Sequence, residues 1–252
     1  MILDPRIRWA LRGQMWPKYW SAIHFIKCSS IGERTHLDLI GPPGIGKTHF
    51  SKRLATNLGV RSPANLGETK YSSEHVEFFE ITLSAIGEKI LSPGIEWEKK
   101  VQKITHLSNR FELERKALHR PAHALFLNDE SLVRHGWDQI VGLATVRPEF
   151  ITNLLRDRLI LVCDADDPAD RILKGRKKRG EDVTDSPQFR QKLNEQMFRI
   201  REAAIVLASL GVPVLTINLD RSISYNVPLV AKFLHENAVT SRKIKHLAKR
   251  TL

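Results

Sequence analysis

Cysteine is nearly absent from this chain. Only Cys28 and Cys163 occur in 252 residues, which excludes a disulfide-stapled secreted scaffold. Cys163 follows the apolar run 159–162, so a buried free thiol is its expected role. Long hydrophobic runs are missing as well. No stretch approaches the ~20 apolar residues that a spanning helix needs, and a soluble globule is expected. Near the N-terminus Asp4, Arg6, Arg8 and Arg12 interrupt every apolar stretch. That leaves no hydrophobic region for a secretory signal, and the expected location is cytoplasmic. Internal repeats and low-complexity segments do not occur. Acidic residues are the minority charge, 28 against 40 Lys and Arg, and the net +12 favours anionic ligands: nucleotides, phosphorylated metabolites, nucleic acid or anionic lipid.

A length of 252 residues fits one α/β domain with embellishments better than two small domains. Residues 1–34 hold Trp9, Trp16, Trp20 and Tyr19 among basic residues and read as an N-terminal extension. Packing against the main domain is preferred for it over contact with a partner or a membrane surface. From 35 to 40 the chain reads as a strand, and from Thr48 the residues Phe50, Leu54, Ala55 and Leu58 recur at helical spacing until Gly59. A short second strand within 60–72 is a weak expectation. Two helical patterns, 73–90 and 97–118, are separated by Ser92-Pro93-Gly94 and form a helical region over 73–119. Apolar runs 124–127, 159–163 and 212–219 read as buried parallel strands, and 222–234 as a closing helix. The tail 237–252 holds Arg242, Lys243, Lys245, Lys249 and Arg250 with no acidic residue, and a frayed, solvated helix is expected there.

The most specific signal is Gly41-Pro42-Pro43-Gly44-Ile45-Gly46-Lys47-Thr48, a complete G-x-x-x-x-G-K-[ST] phosphate loop set between strand and helix. Its glycines let successive backbone N–H groups converge on a phosphate at the helix start, where the dipole also favours an anion. Lys47 would bridge the β- and γ-phosphates and the Thr48 hydroxyl would hold Mg²⁺, with His49 beside them in the nucleotide-binding set. The guanine-reading N-K-x-D tetrad is absent, and too little chain follows residue 130 for a large AAA-type or helicase motor. At the carboxyl end of the 124–127 strand, Asp129 and Glu130 stand where open α/β sheets bind ligands, so each is a candidate for Mg²⁺ or general-base work. Asp164, Asp166 and Asp167 end the next strand, but Pro168 after them makes helix capping the preferred reading. Six cations follow within nine positions: Arg171, Lys174, Arg176, Lys177, Lys178 and Arg179.

On these residues the chain resembles the P-loop nucleoside and nucleotide kinases, thymidylate kinase in particular, over roughly residues 35–235. The run 159–168, Arg171 and Arg179-Gly180-Glu181 look like that family's strand, D-x-x-P helix start and arginine-bearing lid. The resemblance implies a doubly wound parallel α/β sheet of about five strands, a kinase domain over 35–236, a lid over 171–182, and catalytic roles for Lys47, Asp129, Glu130, Arg176 and Arg179. It implies ATP and Mg²⁺ as cofactors and transfer of the γ-phosphoryl group to a small-molecule acceptor. One departure bears on the acceptor: where thymidylate kinases carry an Asp-Arg pair after the third strand, this chain has Asp129-Glu130. Without that clamp an acceptor lacking a phosphate, such as a nucleoside or sugar, is favoured, with Arg110, Arg115, Arg120 and Arg134 as candidate substitutes. A nucleic-acid end kinase or repair ATPase, prompted by the net charge and basic tail, is the second reading. A P-loop regulatory ATPase acting through a protein partner is the third, and a homodimer is compatible with all of them.

Overall fold

The computed structural model describes residues 23–29, 36–61, 73–91, 94, 96–98, 100–102, 104–105, 108, 124–129, 131–181 and 184–249. Parallel strands covered on both faces need nearly continuous apolar sequence. β4 (Ala124–Asn128) and β5 (Arg158–Asp164) come close to that demand, and β2 (His36–Ile40), which carries His36 and Asp38, is buried with them along almost its whole length. With β6 (Val214–Asn218), a half-covered edge strand, they form an all-parallel sheet in the order β4-β2-β5-β6.

Two short strands extend the other edge. β1 (Ile23–Lys27) runs antiparallel to β4 with Ile23 opposite Asn128, and β3 (Val60–Arg61) runs antiparallel to β1. The described sheet therefore has six strands, two of them antiparallel, where about five parallel ones are expected from the sequence. The difference comes from residues 23–27, which lie in the segment read as an extension and whose five residues are too few to stand out beside the tryptophans, and from β3, which falls at the start of the 60–72 stretch but pairs antiparallel with β1 and leaves four parallel strands. Trp9, Trp16, Trp20 and residues 62–72 lie outside the described residues.

Helix α1 (Lys47–Leu58) buries Phe50, Leu54, Ala55 and Leu58, the positions its periodicity marks, and stops at Gly59 with φ 103°. Helix α2 (Ser73–Leu91) follows, while most of the second helical pattern, including Arg110, Arg115 and Arg120, lies outside the described residues. Helix α3 (Leu132–Val146) is broken at Gly136, where a Cβ would come within 2.5 Å of the Phe78 ring; glycine lets α2 press onto α3 there. Then come α4 (Pro148–Leu154), α5 (Pro168–Lys178), α6 (Pro187–Ser209) and α7 (Ile223–Glu236). Beneath them a fully buried ion pair, Arg158 Nη1 to Asp38 Oδ2 at 2.7 Å, ties β5 to β2.

The tail is not the frayed, solvated helix its charge predicts. Helix α8 (Arg242–Ala248) is capped by Ser241, whose Oγ accepts the Ile244 N–H at 3.1 Å, and it buries Ile244 and Ala248 while Val239 is buried just ahead of it. The cations lie on the outer face: Arg242, Lys243, Lys245 and Lys249 are exposed. Three apolar positions among the basic ones suffice to dock it. Ser29, just after β1, donates from its N–H and its hydroxyl to the Thr240 carbonyl at 2.7 and 3.1 Å. Among the described residues no helix is long and apolar enough to cross a membrane.

Candidate functional site

The glycine loop runs from the end of β2 to the start of α1 and lies close against β5. A Cβ on Gly41 would stand 2.8 Å from the Cys163 carbonyl oxygen, so the approach admits only glycine. Gly44 and Gly46 take φ of 88° and 111°, the left-handed region that side chains avoid. Gly46 is also the N-cap of α1, and no side chain caps that helix. Its first N–H groups therefore stand ready for an anionic ligand.

Lys47 is 5% exposed and its Nζ donates to the carbonyls of Gly41 and Pro42 at 2.8 and 3.1 Å. Burial, followed by the charge of Arg134, pushes its pKa down to about 7, against the opposing pull of Cys163 and Asp129. An ammonium in this state gains from any anion that enters the loop. The Thr48 hydroxyl donates to Asp129 Oδ2, joining the loop to the end of β4. Asp129 is fully buried, and its other oxygen, Oδ1, has no hydrogen-bond partner among the described residues. Glu130 lies outside the described residues. Burial pushes the Cys163 thiol up to about 12, which fits the inert role expected of it.

The other strand-end carboxylates are occupied. Asp164 accepts two N–H groups of Arg201, both at 2.9 Å, and the backbone N–H of Ala165 at 2.8 Å. Asp166 accepts from Asn218 at 2.6 Å, and Asp167 caps α5 by accepting the Asp170 N–H at 2.9 Å with Pro168 in the first turn. Capping, the role the sequence favours, falls to Asp167 alone, while Asp164 and Asp166 bind Arg201 and Asn218.

The basic run forms the exposed face and last turns of α5, whose Pro168, Ala169, Ile172 and Leu173 are buried. Arg171 donates from Nε to the Ile45 carbonyl at 2.8 Å and from Nη1 to Asp220 at 2.6 Å, bracing the loop against the end of β6. A cavity of about 1080 Å³ runs along α5 beside Gly44, Ile45, Gly46 and His49, with Lys174 and Arg179 in its wall. The two arginines assigned from the sequence therefore part company. Arg179 borders this cavity, with its Nε donating to Glu181 at 2.5 Å. Arg176 does not line it; its guanidinium lies 5.6 Å over the Phe189 ring.

Two smaller cavities flank the loop. One, of about 160 Å³, lies between His49, Phe50 and Arg53 of α1 and Leu219, Arg221 and Asn226. The other, of about 230 Å³, borders Gly41 and Pro43 on the side of α3 and α6. Residues 41–49, Asp129 and Arg179 are thus gathered around one loop. Asp220, Trp137 and Gln196 are site neighbours that the sequence does not single out, and Arg171, expected in the lid, instead braces the loop. Asp220 was the most findable, since it follows the last strand just as Asp129 follows β4. Trp137 and Gln196 carry no local signal, because only the packing of α3 on α6 brings them to the loop. No protein-family model matches the chain, and no curated protein sequence is significantly similar to it.

Proposed function

We propose that this protein is an ATP-dependent phosphotransferase of the P-loop nucleoside and nucleotide kinase kind, moving the γ-phosphoryl group to a small-molecule acceptor. The observation that carries the reading is the junction at Lys47, Thr48 and Asp129: a buried ammonium on the loop carbonyls, and a loop hydroxyl bonded to the carboxylate at the end of the neighbouring strand. The strand order β4-β2-β5-β6 is compatible with it.

The donor set suits Mg²⁺, because Asp129 presents one buried oxygen with no hydrogen-bond partner among the described residues and another bonded to a hydroxyl that can turn its lone pairs outward. Thr48 and Asp129 would hold the ion, which when bound spreads the charge of the β- and γ-phosphates. Lys47 exchanges the carbonyls of Gly41 and Pro42 for phosphate oxygens, and the N–H groups at the start of α1 orient the phosphate chain. The acceptor hydroxyl oxygen bonds to the γ-phosphorus as the bond from that phosphorus to the β-phosphate oxygen breaks. The electron pair leaves with ADP, and the hydroxyl proton passes to the Asp129-Glu130 pair. Arg179 reaches the transferring group from the α5 side.

The nucleic-acid reading is weaker, since the α5 cavity beside the loop carries Asp166, Asp167, Asp170 and Asp220 as well as its cations, and these carboxylates repel a polyanion there. The test compares Asp129→Asn with Asp164→Asn in acceptor-dependent ADP release. The first should lose about 10²-fold or more in kcat and the second, whose carboxylate is spent on Arg201, far less. Equal losses would remove Asp129 from the chemistry, and ATP hydrolysis indifferent to every acceptor would favour a regulatory ATPase.

A further inference from the structure

The cations of helix α8 are not what docks it. Ile244 and Ala248 are buried, while Arg242, Lys243, Lys245 and Lys249 are exposed. Helix α1, which packs against α7 and α8, exposes Lys52 and Arg53. The two sets meet at Gly59, where a Cβ would come within 3.7 Å of the Lys243 Cδ, so that lysine lies over the end of α1. We propose that this joint face of α1 and α8 binds the phosphate backbone of a DNA duplex, without regard to base sequence. The glycine loop stands at the start of α1 and Gly59 at its end, about 18 Å on, so this binding is separate from the phosphotransfer chemistry and does not depend on it.

Charge balance sets this face apart from the rest of the basic surface. None of Lys52, Arg53, Arg242, Lys243, Lys245 and Lys249 has an ion-pair partner among the described residues. Across α1, α7 and α8 the single carboxylate is Glu236, at the end of α7. The run on α5 is different: Arg171 is paired with Asp220, Lys174 with Asp170 and Arg179 with Glu181. Helix energetics do not account for the α8 set either. Arg242 and Lys243 stand in its first turn, where the dipole disfavours cations, and Lys245 and Lys249 repel each other at i,i+4 spacing. A polyanion laid across the face removes both costs.

The rest of the face selects among polyanions. Neither α1 nor α8 exposes a Phe, Tyr or Trp ring on which unpaired bases could stack, which disfavours a single strand. Neither exposes an apolar side chain that would enter a bilayer. Beyond the loop, the uncharged polar groups of α1 are turned back on their own helix: Thr56 Oγ1 donates to the Lys52 carbonyl at 2.9 Å and Asn57 Nδ2 to the Arg53 carbonyl at 2.8 Å. They are not offered to base edges or to the 2′-hydroxyls on which recognition of duplex RNA draws. What remains is charge alone, which suits DNA phosphates.

The test uses the full chain and fluorescein-labelled DNA duplexes of about 20 base pairs, in two unrelated sequences, read by anisotropy from about 50 to about 200 mM salt. If four of the six cations each meet a phosphate, the affinity for both duplexes should fall about 100-fold over that range. Lys243→Gln/Lys245→Gln should weaken binding at the low-salt end by about tenfold or more and reduce the fall to about tenfold. Lys177→Gln/Lys178→Gln, on the exposed side of α5, should change neither. Circular dichroism checks that the variants fold, and Lys52→Gln/Lys249→Gln repeats the measurement on the other exposed lysines. The proposal is overturned by no duplex binding at the lowest salt, by a salt response that neither α1–α8 variant alters, or by an equal loss in the α5 variant. Tighter binding of duplex RNA, of single-stranded DNA or of phosphatidylserine vesicles than of duplex DNA would overturn it as well. ATP turnover does not enter the readout, so each result stands whatever becomes of the phosphotransferase reading.

Discussion

Replacing Lys47 by methionine should make the nucleotide-free protein more stable near neutral pH, although it removes the residue on which phosphate binding depends. The ammonium is 5% exposed, and its pKa falls from 10.5 to about 7 chiefly through burial. That lowering corresponds to about 5 kcal/mol of differential free energy. Because the folded-state value is the lower one, the unfolded chain binds more protons between these pH values, and stability rises with pH across the interval. The penalty is fully present below about pH 7 and relieved as pH climbs to 10.5. Methionine escapes it but forfeits the bonds to Gly41 and Pro42, worth about 0.5–1.5 kcal/mol each. At pH 6 the variant should therefore be more stable by about 2–4 kcal/mol. The advantage should shrink by about 1.4 kcal/mol per pH unit above 7 and become a small deficit beyond 10.5. Urea denaturation of both proteins from pH 6 to 11, followed by circular dichroism, reads this difference directly. A variant less stable at pH 6, or a difference that does not move with pH, would refute the buried charge.

The two arginines of the basic run should behave differently in steady-state kinetics. Arg179→Ala, at the cavity wall beside the loop, should cut kcat by about 10³-fold, whereas Arg176→Ala, stacked on Phe189, should leave it within a few-fold; equal effects would mean that α5 moves as a unit during turnover. Asp38→Ala should lower unfolding free energy by about 3 kcal/mol, because it removes the 2.7 Å partner of the fully buried Arg158 guanidinium and leaves the more distant Asp157 at 3.8 Å, and a loss under about 1 kcal/mol would show that Asp157 takes over the pairing.

Much of the parallel half of the sheet was legible because its strands are buried on both faces: the runs 124–127 and 159–163 leave little alternative to β4 and β5. The glycine loop and its helix were legible for a different reason, since phosphate chemistry prescribes residue types at fixed spacing. Beyond that, local pattern stops informing. β1 has five residues and owes its place to β4, about a hundred positions later. The tail was misread because charge count outweighed three apolar residues whose value depends on α7 being there to receive them. Similarly, nothing within Arg176 to Arg179 says which guanidinium turns toward the loop and which toward Phe189. That choice belongs to helix phase and to the position of α6.

The pairing of β1 with β4, and of Ser29 with Thr240, also sets an order on synthesis. At about 5–20 residues per second, β1 leaves the ribosome roughly 5–20 s before β4 exists to receive it, and Ser29 waits longer still for its carbonyl partner. During that interval the segment is an unsatisfied strand with apolar residues on offer, open to pairing with other nascent chains. The antiparallel edge is thus complete only when residues on both sides of the parallel strands, 23–29 ahead of them and Thr240 after, have been made.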